Sequence, residues 1–181
     1  MSRFDAIIIG GGHSGLEKGI EILRSGRTCI AFAKGGSTGH FRDNNYSYRK
    51  HCIEFRRLGG VLMNADAVVR GDFDEDGRRL MRIYTSNEAD SFTAKEFWLA
   101  TGSFFSGGLA STRETVFEPL FGLDVDFIKD RRNWVNKDFF AQQPFMKFGV
   151  KVSPSGKALK KGREIENLFP IGSIISQMQT K

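Results

Sequence analysis

Three glycines in the first fifteen residues carry the clearest chemistry in this chain. Gly10, Gly12 and Gly15 satisfy the spacing G-x-G-x-x-G. In that pattern the first glycine turns the chain tightly, the second lets backbone approach a phosphate, and the third lets a helix pack closely on a strand. The unpaired N–H groups and positive dipole end of such a helix would hold the anion before any side chain acts. Ser14 adds a hydroxyl donor beside them. His13, inside the turn, either contacts a cofactor or points to solvent. The acidic residue that would grip an adenosine ribose is missing at the end of the next strand, where the sequence reads Phe32-Ala33-Lys34-Gly35. Lys34 is a candidate for a flavin phosphate or for the 2′-phosphate of NADP, with a solvated lysine as the plainer alternative.

The glycines acquire this meaning only if a strand and a helix position them. Residues 5–9 form a compact apolar strand that enters the turn directly. From Ser14 onward, Leu16, Ile20 and Leu23 recur at helical spacing, with Glu17, Lys18, Glu21 and Arg24 on other faces. Gly26 is expected to end that helix as a left-handed cap. Residues 28–33 read as a second buried strand, completing a βαβ unit of about 30 residues, and a right-handed crossover makes the two strands parallel. A loop follows at 35–39, then a second helix from Tyr46 that turns Tyr48, Cys52, Phe55 and Leu58 to the core until Gly59-Gly60 stops it. Short strands are expected at 61–63 and 67–69, a hairpin around Asp76-Gly77 leading into 80–85, and a last clear strand at 92–99. The expected fold is α/β: a three-layer, Rossmann-like FAD/NAD(P)-binding domain whose parallel sheet has the first strand at its centre and carries a β-hairpin or meander layer.

Composition narrows the function classes. Hydrophobic residues at 40% and charged residues at 27% describe a globular chain, and no apolar run approaches the roughly 18 residues of a membrane span. No secretory signal is visible, so a cytoplasmic location is expected. Cys29 and Cys52 make neither a disulfide framework nor, with His13, His40 and His51, a metal-ligand spacing, and no G-x-S-x-G elbow occurs. No metal site is expected and no catalytic residue is singled out. The net charge of +6 gathers at Lys129-Asp130-Arg131-Arg132 and at 157–163, read as solvated loops with no nucleic-acid motif beside them. Phe104-Phe105 and Phe139-Phe140, among 17 phenylalanines, are expected to pack in the core, with an exposed partner surface as the alternative.

The tract Leu99-Ala100-Thr101-Gly102-Ser103-Phe104-Phe105-Ser106-Gly107-Gly108-Leu109 resembles the B subunits of anaerobic glycerol-3-phosphate dehydrogenase. So do Phe55-Arg56-Arg57-Leu58-Gly59-Gly60, the stretch from Glu118 to Val125, Asp138-Phe139-Phe140, and the stretch from Glu164 to Ser173, in family order over most of the chain. The resemblance implies a flavoprotein subunit acting with a flavin-bearing A subunit and an iron–sulfur C subunit. Together these oxidise glycerol 3-phosphate to dihydroxyacetone phosphate and send electrons toward the quinone pool. This chain would meet the substrate indirectly and reach the inner face of the cytoplasmic membrane through its partners. The implied cofactor is FMN, with FAD as alternative; FMN has no adenosine half and so suits the missing ribose-binding acid. By motif, Thr101 and Gly102 would lie against the flavin at a strand end, and Gly172 and Ser173 beside its isoalloxazine or ribityl chain. A single domain over 1–181 is expected, formed from 1–39 and 46–181. Near 40–46 the family carries a large insertion, and past Lys181 a further glycine-rich segment and helix. Two other functions stay open: an interaction module without cofactor, and an NADP-linked oxidoreductase suggested by Lys34.

Overall fold

A computed structural model describes residues 2–35, 45–87 and 91–178. The expected loop at 36–39, the junction beginning at His40 and the end at Lys181 lie outside the described residues. The main elements are β1 (Ser2–Ile9), α1 (His13–Arg24), β2 (Cys29–Ala33), α2 (Asn45–Arg57), β3 (Val61–Asn64), β4 (Val68–Phe73), β5 (Leu80–Thr85), β6 (Phe92–Leu99) and a short strand at Leu168–Pro170. Successive side chains of a strand face opposite ways, and in β1 both sets are buried. Ala6 and Ile8 join one apolar cluster, Ile7 and Ile9 another. Buried on both faces, this run can only be an interior strand.

The sheet order is β3-β2-β1-β6-β5-β4, and the strand at Leu168–Pro170 also pairs with β6. β2 runs parallel to β1 with Ala6 opposite Cys29 and Ile9 opposite Phe32, as expected. β6 runs parallel to β1 on its other side. The outer edge of β6 is shared: its first residue meets the antiparallel hairpin of β4 and β5 through Ile83 and Phe92, and its last three pair in parallel with Leu168–Pro170. The hairpin turn is set by Asp74, whose carboxylate accepts from the N–H groups of Arg78 and Arg79.

The two helices cover one face. Leu16, Ile20, Ile22 and Leu23 of α1 bury themselves with Phe55 of α2 against Ala6, Ile8, Cys29 and Ala31. Gly26, at φ +78°, takes the expected left-handed position after α1, its N–H bonded to the Leu23 carbonyl. The other face is covered by chain with little regular structure. Leu109, Val116, Phe121, Leu123, Trp134, Phe148, Val150 and Ile165 pack onto Ile7, Ile9, Ile30 and Phe32, held between two-residue ladders such as Val125–Asp126 with Gly149–Val150. At the opposite end of the sheet from the glycine turn, Asp5 accepts from the Thr28 N–H and hydroxyl and from Lys95 at 2.7 Å. Those donors hold its carboxyl well below the usual carboxylate range.

Two expectations are corrected. Phe104 is partly buried, but Phe105, Phe139 and Phe140 are 72%, 84% and 94% exposed, so core packing fails for three of the four. The reason at 139–140 is local: the Gln143 side chain accepts from the Asn136 N–H and donates to the carbonyls of Asp138, Phe139 and Ala141. That closes a loop with its two rings outward. Both thiols are expected to be buried; Cys29 is enclosed, where burial pushes its thiol up to about 12, but Cys52 is only half-buried on the core side of α2.

Candidate functional site

The carboxyl ends of the parallel strands meet in a row. The Gly10 N–H donates to Phe32 O, the Ala100 N–H to Ile9 O and the Ile171 N–H to Leu99 O, so the segments leaving β2, β1, β6 and Leu168–Pro170 emerge side by side. Between them lies a cleft of about 940 Å³, at the upper end of the range for small-molecule and cofactor sites. It opens where the sheet order turns from β2-side to β6-side neighbours, the crevice in which open α/β sheets bind nucleotides.

Gly10, Gly12, Ser14, Lys34, Thr101, Gly102 and Ser173 all line this cleft. Gly15 and Gly172 stand behind it. A Cβ on Gly15 would collide with the Gly10 carbonyl oxygen, so this glycine lets α1 sit tight on the turn. A Cβ on Gly172 would come 2.7 Å from Ser14 Oγ, which places the late turn against the start of α1. Gly10, at φ +113°, takes a backbone that side-chain-bearing residues rarely adopt, and a Cβ there would collide with Ala100 O. Gly12 differs from all of these: a Cβ built on it meets nothing within 4 Å among the described residues.

Gly12 is also the N-cap of α1, so no side chain caps the helix, and its first turn has no acidic residue. The orphan N–H groups of that turn therefore face the cleft without an internal acceptor. Across from them, Thr101 Oγ1 is buried and makes no hydrogen bond among the described residues. A buried hydroxyl without a partner costs about 1–3 kcal/mol, which a ligand acceptor would offset. A glycine floor with room for an anion, an uncapped helix end and an orphaned hydroxyl fit the phosphate and polar chain of a flavin nucleotide.

Other residues line the cleft as well. Tyr48 reaches the wall from α2, and its phenol, pushed up to about 12 mainly by burial, remains a neutral hydroxyl there. His13 lines the cleft too and stands edge-on to His51 with ring centroids 5.3 Å apart, so it is backed by α2 rather than turned to solvent. Glu118 is buried; burial raises its pKa, against the N–H groups of Phe121 and Leu120 that bond its carboxylate at 2.8 and 2.9 Å. The floor continues past β2 to Asn64, Ala65 and Val68. His13 is marked by its place in the turn; the others have no local pattern that betrays them as lining residues. Gly107-Gly108 does: a Cβ on Gly108 would collide with the Gly102 carbonyl oxygen, a packing need that the doubled glycine announces.

Among the described residues, no helix is long and apolar enough to cross a membrane. Residues 45–180 match the FAD binding domain family. The B subunit of anaerobic glycerol-3-phosphate dehydrogenase from Aliivibrio fischeri strain MJ11 is 41% identical over 133 residues, covering 67% of this chain and 29% of that protein. Its namesake from Haemophilus ducreyi is 42% identical over 134 residues, covering 71% of this chain and 31% of that protein. The chain thus spans under a third of the length of these relatives, and the resemblance read from its motifs is borne out. Among solved structures, a thioredoxin reductase from Gloeobacter violaceus is similar with a TM-score of 0.48 and 22% identity, covering 57% of this chain and 38% of that one.

Proposed function

Because the chain belongs to the FAD binding domain family, we propose that it is a flavin-binding unit of an oxidoreductase subunit, with FAD lying along the cleft between β2 and β6. One observation carries the reading: the uncapped start of α1, the room at Gly12 and the Thr101 hydroxyl, partnerless among the described residues, share one cleft. Gly10, Gly12 and Ser14 hold the diphosphate, and Gly15 seats α1 close behind them. Thr101 and Gly102 bond the polar chain, with Ser173 beside them on the late turn that Gly172 seats against the start of α1. The flavin supplies the electron chemistry; this chain's residues bind it, orient it and exclude water.

The relatives' name supports a finer role as the B subunit of a glycerol-3-phosphate dehydrogenase. In that role the chain works with an A subunit and an iron–sulfur C subunit, takes glycerol 3-phosphate to dihydroxyacetone phosphate, and sits at the inner face of the cytoplasmic membrane through its partners. Catalysis by positioning tolerates little error, since about 1 Å of misplacement costs on the order of 10²-fold. The flavin-loaded chain alone is therefore expected to show no dye reduction dependent on glycerol 3-phosphate, and turnover without an A subunit would overturn this division of labour.

FMN is the second reading, favoured by the absence of a carboxylate at the end of β2. FAD is favoured by the floor that runs on to Asn64, Ala65 and Val68, where an adenosine half would rest. In a competition titration FAD is expected to displace FMN; FMN binding as well or better would return the assignment to FMN.

A further inference from the structure

Lys34 follows β2, and its ammonium meets the loop that follows β6. A Cβ built on Gly107, beyond β6, would lie 4.0 Å from Lys34 Nζ. β1 stands between β2 and β6, and two strand spacings amount to about 9–10 Å. The ammonium and the loop after β6 therefore close that gap between them at the carboxyl ends of the strands, in the cleft that Gly10, Gly11 and Gly12 also line. Among the described residues it makes no hydrogen bond or ion pair. Among the described lining residues it is the only Lys or Arg, and the one carboxylate there, Glu118, is engaged by backbone N–H groups.

We infer that Lys34 is a phosphate clamp: its ammonium closes over the flavin phosphate that the start of α1 holds from below. This rests on the flavin reading above and changes what the missing ribose acid means. A carboxylate at the end of β2 would grip a ribose hydroxyl; a cation in the cleft instead meets the phosphate nearest the glycine turn. The site then recognises its ligand by phosphate more than by ribose. The adjoining helix end adds to the same field.

The test compares riboflavin, FMN and FAD by fluorescence titration of the wild-type chain, Lys34→Met and Lys34→Arg, with adenosine 2′,5′-bisphosphate as competitor. Lys34→Met is expected to lower the FMN-over-riboflavin preference about tenfold, near 1.4 kcal/mol, to weaken FAD equally, and to be rescued by Lys34→Arg. Unchanged FMN and FAD binding in Lys34→Met would overturn the inference alone. So would a loss confined to the bisphosphate, which would place the cation on a 2′-phosphate. A wild-type chain that binds neither FMN nor FAD would overturn the flavin reading, and this inference with it.

Discussion

Gly12→Val is expected to weaken flavin binding by at least on the order of 100-fold, about 2.7 kcal/mol, while the protein stays folded. The Gly12 backbone, at φ −79° and ψ −173°, is extended, a conformation valine adopts readily. A Cβ there meets no neighbour within 4 Å, so the fold registers only the exchange at a helix N-cap, about 1 kcal/mol. The new isopropyl group projects into the space beside the first N–H groups of α1, where the phosphate must approach. Each charge-assisted hydrogen bond lost there is worth about 1.5–3 kcal/mol. Flavin titration and thermal melting read the two effects separately. Undiminished affinity in a folded variant would show that the turn does not hold the cofactor.

Gly15→Val should do the opposite, costing about 3 kcal/mol or more of stability. Here the Cβ collides with a backbone carbonyl oxygen, that of Gly10, and comes 2.9 Å from Ile8 Cγ2 and 3.2 Å from the Ala100 side chain. No flexible group can yield. Either α1 lifts from β1 or the turn is rebuilt, and both expose the cluster around Leu16 and Ile8. At about 2–4 °C per kcal/mol for a chain of this size, the melting temperature should fall by roughly 6–12 °C. A variant that melts with the wild type would mean that α1 is not seated as described.

The contrast between these glycines marks what is legible in the sequence. Strand β1, the turn, α1 and β2 are contiguous, so alternation, helical spacing and glycine positions specify them locally, down to the cap at Gly26. The far wall of the cleft is not contiguous with them. Glu118 comes from a segment whose ladder is only two residues long, too short for periodicity to reveal. The divided outer edge of β6 depends on a strand about seventy residues later, a pairing that no local pattern encodes. The expectation for Phe139 and Phe140 fails for a related reason: apolar type argues for burial, but the Gln143 side chain determines the loop's direction. Lys34 stands out in the sequence for its place at the end of β2. That its ammonium meets Gly107 depends on where the loop after β6 runs.

The most direct measurement is the flavin content of folded protein after equilibration with excess FAD and removal of unbound ligand, read from the visible spectrum with circular dichroism alongside. A cleft whose glycine turn, helix end and Thr101 hydroxyl hold the nucleotide should retain flavin in stoichiometric amount, and Gly12→Val should retain almost none. A folded wild-type chain that keeps no flavin, or a Gly12→Val variant that keeps as much as wild type, would contradict the account.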